Sequence, residues 1–185
     1  MPNWTGQFLV ATPDLLDPNF RRTVILICQH GADGAMGLIV NRPSDDSVGE
    51  VLPLASGGST LLDDPLWNGG PVGTDSVFIL HDGDGGAERP IVDDVSFGGD
   101  TALLQELLDQ DSMGASFRAR MYVGYAGWGE GQLEFEVSTE SWILVPADTG
   151  QIFCDLDQDI WREIMTGMGG AHAFAALAPN DPELN

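Results

Sequence analysis

Residues 23–30 (TVILICQH) form a β-branched, apolar run, which a polar, glycine-bearing interruption (GADGA) separates from a second run, MGLIVN. Two such runs bounded by turn residues predict two largely buried strands joined as a hairpin, with the turn at Asp33-Gly34. Residues 76–81 (SVFILH) predict another strand, and PIVDDVSFGG predicts one or two short ones. From Ala115 the chain alternates strictly: Phe117, Ala119, Met121, Val123 and Tyr125 share one face, while Arg118, Arg120 and Tyr122 share the other, as in a half-buried strand.

Elsewhere the spacing is helical. Asp100 stands as N-cap before Leu103, Leu104, Leu107 and Leu108. Asp157 heads a stretch whose apolar residues are Ile160, Trp161, Ile164, Met165 and Met168. Ser47 and Glu50 form a capping-box pair for a short helix over residues 47–54, and residues 171–178 (AHAFAALA) predict a last one. A turn is expected at residues 148–150, followed by a short run over 151–154. Residues 129–137 fit two patterns: Leu133, Phe135 and Val137 alternate like a strand, yet Gly131-Gln-Leu-Glu opens like a helix, and periodicity does not decide between them.

Strands interrupted by helices at irregular intervals predict an α+β fold with a mostly antiparallel, curved sheet. The 185 residues carry no Pro/Ser-rich linker, so residues 1–185 read as one domain, with residues 179–185 a short acidic tail. Residues 56–64, 68–73 and 82–89 read as loops. The DGDG at 82–85 lacks the remaining ligands and closing Glu of a calcium loop and reads as a solvated turn.

Charge narrows the functional classes. The chain has 29 acidic residues against 7 basic ones, all arginine, for a net charge of -22. Phosphate binding draws affinity from cations displacing counterions, so direct contact with nucleic acid is not expected. The pairs Arg21/Arg22 and Arg118/Arg120 are expected to balance nearby acids. A lysine-free, acid-rich surface suits a salt-rich cytoplasm, where repulsion is screened. The longest strongly apolar run, residues 24–28, is far short of the roughly 20 residues that span a bilayer. The opening residues have no basic region before their four-residue apolar run, so neither a signal peptide nor a membrane partner is expected. Two cysteines far apart in sequence suit a reducing compartment, and the expected location is cytoplasmic.

Candidate chemistry starts with Cys28 and His30. Two apart in a strand, they are expected on one sheet face, where an imidazole would activate a thiolate or begin a metal site with His81. The alternative is a structural cysteine beside a strand-end histidine, and no metal site or cofactor is assigned. No nucleophile elbow, phosphate loop or zinc-protease motif occurs. The segment GYAGWGEGQLE at 124–134 sets glycines beside Tyr125 and Trp128 and leads to Gln132 and Glu134. Such glycines permit close backbone approach, either to a ligand in a cleft or to a crossing element over a core filled by the rings. Gly69, Gly70, Pro71 and His81 are further binding candidates, as are Asn41 and Arg42, where a strand meets a Pro-stopped corner.

These segments resemble the YqgE/AlgH family of bacterial proteins. The likeness rests on GQFLVATPDLLDPNFRRTVILICQH at 6–30, GAMGLIVNRP at 34–43, GGPV at 69–72, the strand ending in His81, and GYAGWGEGQLE with Trp142. It implies a single α/β domain whose sheet curls into a pseudo-barrel flanked by helices, and it favours a helix at 129–137. One branch of the family is labelled a transcriptional regulator, with no recognised DNA-binding motif behind the label. The resemblance and the missing catalytic set together favour a non-enzymatic binding or regulatory protein acting through a protein or small-ligand partner. The alternative is a thiol-based enzyme or redox protein using Cys28 and His30.

Overall fold

The computed structural model describes residues 3–52, 58–83 and 90–177. Among these, nine strands and six α-helices form one α+β domain. The strands are β1 (Gln7–Ala11), β2 (Val24–Gly31), β3 (Gly34–Ile39), β4 (Pro43–Ser47), β5 (Pro65–Asn68), β6 (Val72–His81), β7 (Ser96–Gly98), β8 (Ala119–Gly129) and β9 (Trp142–Pro146). The helices are α1 (Val48–Val51), α2 (Thr101–Ser112), α3 (Gln132–Ser138), α4 (Thr149–Ile152), α5 (Ile160–Met168) and α6 (Gly170–Ala175).

The strands form a mixed sheet that stays unclosed, ordered β4-β5-β8-β3-β2-β1-β9, with β6 branching from β8 and carrying β7. Every ladder is antiparallel except β5 with β8. The joint is β8: residues 119–123 pair with β6, residues 122 and 123 also meet β5, and residues 126–129 pair with β3. Both faces are covered. Phe8, Val10, Leu26 and Leu38 bury into one apolar layer with Trp161 and Met165 of α5. Leu9, Ile25, Ile27 and Ile39 enter another with Leu133 of α3. The leucines of α2 close a third layer over Ile79 and Met121. Burial on both faces is why β1 and β2 read as unbroken apolar runs rather than alternation.

Asp100 caps α2 by accepting from the Leu103 N–H at 2.7 Å, and the Ser47/Glu50 capping box is formed, although α1 is only four residues long. At 129–137 the helix wins, with β8 ending at Gly129 and α3 opening after Gly131. Several boundaries move. The hairpin pairs Gly31 with Gly34, so its turn is Ala32-Asp33, one residue earlier than expected. The cap of α5 is Asp159, whose carboxylate accepts from the Arg162 N–H, rather than Asp157. The turn at 148–150 is the start of helix α4, capped by Asp148. The strand of residues 115–125 starts at Ala119 instead and runs on through the aromatic-glycine segment. The expected loop over 68–73 shrinks to three residues between β5 and β6. The loop at 82–89 lies largely, and the tail at 179–185 wholly, outside the described residues.

Candidate functional site

Two irregularities of the sheet decide which candidates meet. The first is a bulge in β2: Ile27 pairs with Gly37 and Gln29 with Met36, which leaves Cys28 as the extra residue. A bulge shifts the phase of side chains beyond it, so the expectation that Cys28 and His30 share a face fails. Cys28 buries among Leu26, Leu38 and Tyr122. His30 pairs with Ala35 and points into the layer of Trp128 and Leu133.

The second irregularity is Gly124, whose φ of 72° lies in the left-handed region. Past it the ladder with β6 slips, from Val77 opposite Val123 to Val72 opposite Tyr125. Tyr125 therefore joins the face of Tyr122 instead of the Met121 and Val123 face that strict alternation assigns to it.

With these phase shifts, the β2–β3 turn, β6 and β8 border an open, solvent-facing cavity of about 810 Å³. Its lining includes Gln29, His30, Met36, Val72, Phe78, Tyr125 and Trp128. Phe78 meets Tyr125 edge to face, ring centroids 5.7 Å apart, and Val72 is 41% exposed at the mouth. Three sequence-predicted residues, His30, Tyr125 and Trp128, thus come together; Cys28 and His81 do not line the cavity.

His30 contributes little free chemistry. Its side chain is 1% exposed, its Nδ1 accepts from the Trp4 N–H at 3.1 Å, and its Nε2 lies 3.2 Å from Glu134 Oε1. Accepting at Nδ1 places the proton on Nε2, which donates to Glu134. The Trp4 ring stacks on the imidazole with centroids 4.9 Å apart. Both ring nitrogens are thereby spent on holding the N-terminal segment and α3. Glu134 is spent on the same contact, and Gln132 accepts from the Gly129 N–H while donating to Glu136.

Cys28 is 2% exposed, its thiol donates to the Leu26 carbonyl at 3.6 Å, and burial pushes it far above the ordinary thiol range. The thiolate chemistry proposed for it needs an exposed, electropositive setting. His81 is buried at the end of β6, between β7 and β8 and opposite Ser96 and Ala119, whereas Cys28 is on β2 and Cys154 follows α4. Among the described residues no group of three or more His, Cys, Asp or Glu is placed to hold a metal ion.

The glycine loop makes a tight crossing. The Gly69 N–H donates to the Val123 carbonyl while the Gly69 carbonyl accepts from Ile39, so the loop ties β8 to the end of β3. A Cβ on Gly70 would stand 2.2 Å from the Tyr125 carbonyl carbon, and one on Gly124 would stand 2.3 Å from the Gly70 oxygen. Pro71 links this crossing to Val72 at the cavity mouth.

The fold and these segments have counterparts. Residues 8–173 match the AlgH-like family. This chain belongs to the AlgH-like family. It is 37% identical over 184 residues to a UPF0301 protein of Chlorobaculum tepidum, covering 97% of this chain and 95% of the relative. It is 36% identical over 190 residues to one from Streptomyces coelicolor, covering 98% and 95%. The solution structure of the AlgH protein from Pseudomonas aeruginosa superimposes with a TM-score of 0.74 at 28% identity, covering 97% of this chain and 96% of that one. A crystal structure from Corynebacterium diphtheriae gives 0.77 at 24% identity over 96% and 93%, a likeness of fold.

In this AlgH-like chain, Asn41 and Arg42 lie in a separate cleft. Asn41 accepts from the Val24 N–H at 2.9 Å and donates to the Arg22 carbonyl at 2.9 Å. Arg42 donates to the carbonyls of Pro18, Asn19 and Arg21. Arg118 pairs with Asp82 at 2.6 Å, whereas Arg120 lies 3.9 Å over the Trp67 ring and donates to the Ile152 and Cys154 carbonyls. Sequence reasoning missed Met36, Phe78 and Trp4, whose roles come from bulges and ladders between distant strands. Glu136, whose spacing with Glu130, Glu134 and Glu140 reads from the sequence as ordinary acidic surface, is instead the shared acceptor of the Trp128 and Trp142 indoles.

Proposed function

We propose that this AlgH-like chain is a non-enzymatic binding protein whose cavity at the β2–β3 turn takes a small, largely apolar ligand. The observation carrying this reading is the cavity itself. Two phase shifts in the sheet gather Met36, Val72, Phe78 and Tyr125 around about 810 Å³, a size within the range of small-molecule sites. The polar groups at its edge are Gln29, Asp33 and the already engaged His30, an arrangement suited to orienting a ligand rather than transferring protons. Burial of Cys28 favours this reading over a thiol-based reaction, and two buried free thiols accord with a reducing, cytoplasmic setting. A regulatory role through a protein partner, rather than through DNA, accords with the net charge of -22.

The test is a methyl NMR screen of a panel of small aromatic and aliphatic compounds against the full chain. Saturable shifts at the Met36 and Val72 methyls, weakened in Tyr125→Ala, are expected. Binders that perturb other methyls and ignore Tyr125→Ala, or a panel without binders, would overturn the assignment.

A further inference from the structure

The cleft holding Asn41 and Arg42 is separate from that cavity. It encloses about 540 Å³ between the turn at 17–22 and the turn at 156–159. In a chain with only seven arginines, Arg21, Arg22 and Arg42 all line it. Arg162 lies close enough to act on Arg22 from α5.

Gathering these like charges is unfavourable. Burial, then the charges of Arg162 and Arg21, hold the Arg22 guanidinium below the ordinary arginine range, with Asp159 opposing. Burial, then Arg21, does the same to Arg42, with Asp17 opposing. The backbone is constrained to keep them there. Arg22 sits at a φ of 56°, a left-handed conformation rare for a long side chain, and its carbonyl is held by Asn41. Its guanidinium lies 4.8 Å from the Trp161 ring centroid.

The donors divide by role. Arg42 spends both terminal nitrogens on backbone carbonyls, so it shapes the turn. The Arg21 backbone is engaged, its N–H donating to Asp17 and its carbonyl accepting from Arg42, but its guanidinium has no hydrogen-bond or ion-pair partner among the described residues. Of the acids on the rim, Asp159 is engaged by the Arg162 N–H and lies 3.6 Å from its Nε, which leaves Asp157 as the acid to be avoided. Leu16 and Leu156, 69% and 58% exposed, add apolar surface to the lining.

We infer that this cleft binds an oxyanion, a phosphate or carboxylate carried on a small organic molecule. The Arg21 guanidinium supplies a forked donor, Arg22 adds charge, and the apolar part of the ligand lies on Leu16 and Leu156. A bound anion there offsets the mutual repulsion of Arg21 and Arg42, to which Asp17 is otherwise the opposing charge.

The experiment titrates the full chain with sodium phosphate, sodium acetate or sodium chloride at matched ionic strength, following backbone and arginine Nε–H NMR signals. Saturable shifts at Arg21, Arg22 and Leu156 with phosphate or acetate, absent with chloride, are expected, and the stronger of the two anions identifies the ligand group. Arg21→Gln should weaken that binding at least tenfold with an unchanged melting temperature, while Arg118→Gln and Tyr125→Ala leave it intact. Shifts that follow ionic strength alone, or saturable shifts that Arg21→Gln leaves unchanged, would overturn the inference.

Discussion

Trp128 and Trp142 donate their indole N–H groups to the same carboxylate oxygen, Oε2 of Glu136, at 2.9 and 2.8 Å. The two rings meet edge to face with centroids 6.2 Å apart, so α3 is fastened to β8 and β9 through one shared, half-buried acceptor. Glu136→Ala leaves two buried indole N–H groups without a partner, a cost of about 2–5 kcal/mol in unfolding free energy. Glu136→Gln keeps one acceptor and should lose about half of that. Urea unfolding measures both, and a loss below about 0.5 kcal/mol for Glu136→Ala would show the bonds to be dispensable.

The glycine crossing permits a test with an internal control. Gly124 and Gly114 have similar dihedrals, φ of 72° and 82°, but a Cβ on Gly114 meets nothing within 4 Å. Gly114→Ala should therefore cost only the left-handed backbone penalty, about 1–2 kcal/mol. Gly124→Ala adds a clash with the Gly70 carbonyl and should exceed about 3 kcal/mol or prevent folding. Equal effects would mean that the crossing relaxes.

What the sequence made legible follows physical range. Helix α2, its Asp100 cap and the Ser47/Glu50 box depend on residues within a turn of each other, and they appear as expected. The Arg118/Arg120 strand was visible as alternation, but its phase beyond Gly124 depends on the Gly70 backbone pressing on it from more than fifty residues away. Cys28 and His30 were assigned one face because the bulge that separates them is a property of the β2–β3 pairing, not of either segment. The aromatic-glycine segment was recognisable as unusual. Its partners Met36 and Phe78 were ordinary core residues until the ladders placed them beside it.

Neither thiol should react in the native protein. Cys28 and Cys154 are both buried, and burial suppresses the thiolate form of Cys28. A chromogenic disulfide reagent should label both only in denaturant, or at the rate of global opening. Fast labelling of Cys28 under native conditions, rising with pH near the ordinary thiol range, would restore the thiol-based alternative.

Asp64 carries a pH signature of defined sign. Burial, then the charge of Asp111, with Asp63 adding and Arg120 opposing, raises its carboxyl above the ordinary value of 3.8. For a raised acid the folded state binds the proton more tightly. Its stabilising contribution is complete below the unfolded value and is lost as pH rises through the folded one. Asp64→Asn should therefore melt higher than the parent at pH 7, and the difference should vanish as pH falls below 3.8. A parent that melts higher than Asp64→Asn at neutral pH would reverse the sign and remove the repulsion argument.

The net charge of -22 sets the response to salt. Acids cluster where they cannot neutralise one another: Asp45 and Asp46 are exposed on edge strand β4, and Glu106 and Asp109 on the outer face of α2. On β4 that charge discourages pairing with another chain's edge, but it also adds to self-repulsion in the compact state. Raising potassium chloride from about 0.1 to 1 M shortens the screening length from about 10 to about 3 Å, so most of that repulsion is removed. A gain of about 2 kcal/mol would raise the melting temperature by about 4–8 °C. Sodium and potassium chloride should act alike, since screening depends on ionic strength rather than ion identity. A melting temperature flat in chloride, or one that rises only in sulfate, would locate the acids' role in local contacts and end the case for adaptation to a salt-rich solvent.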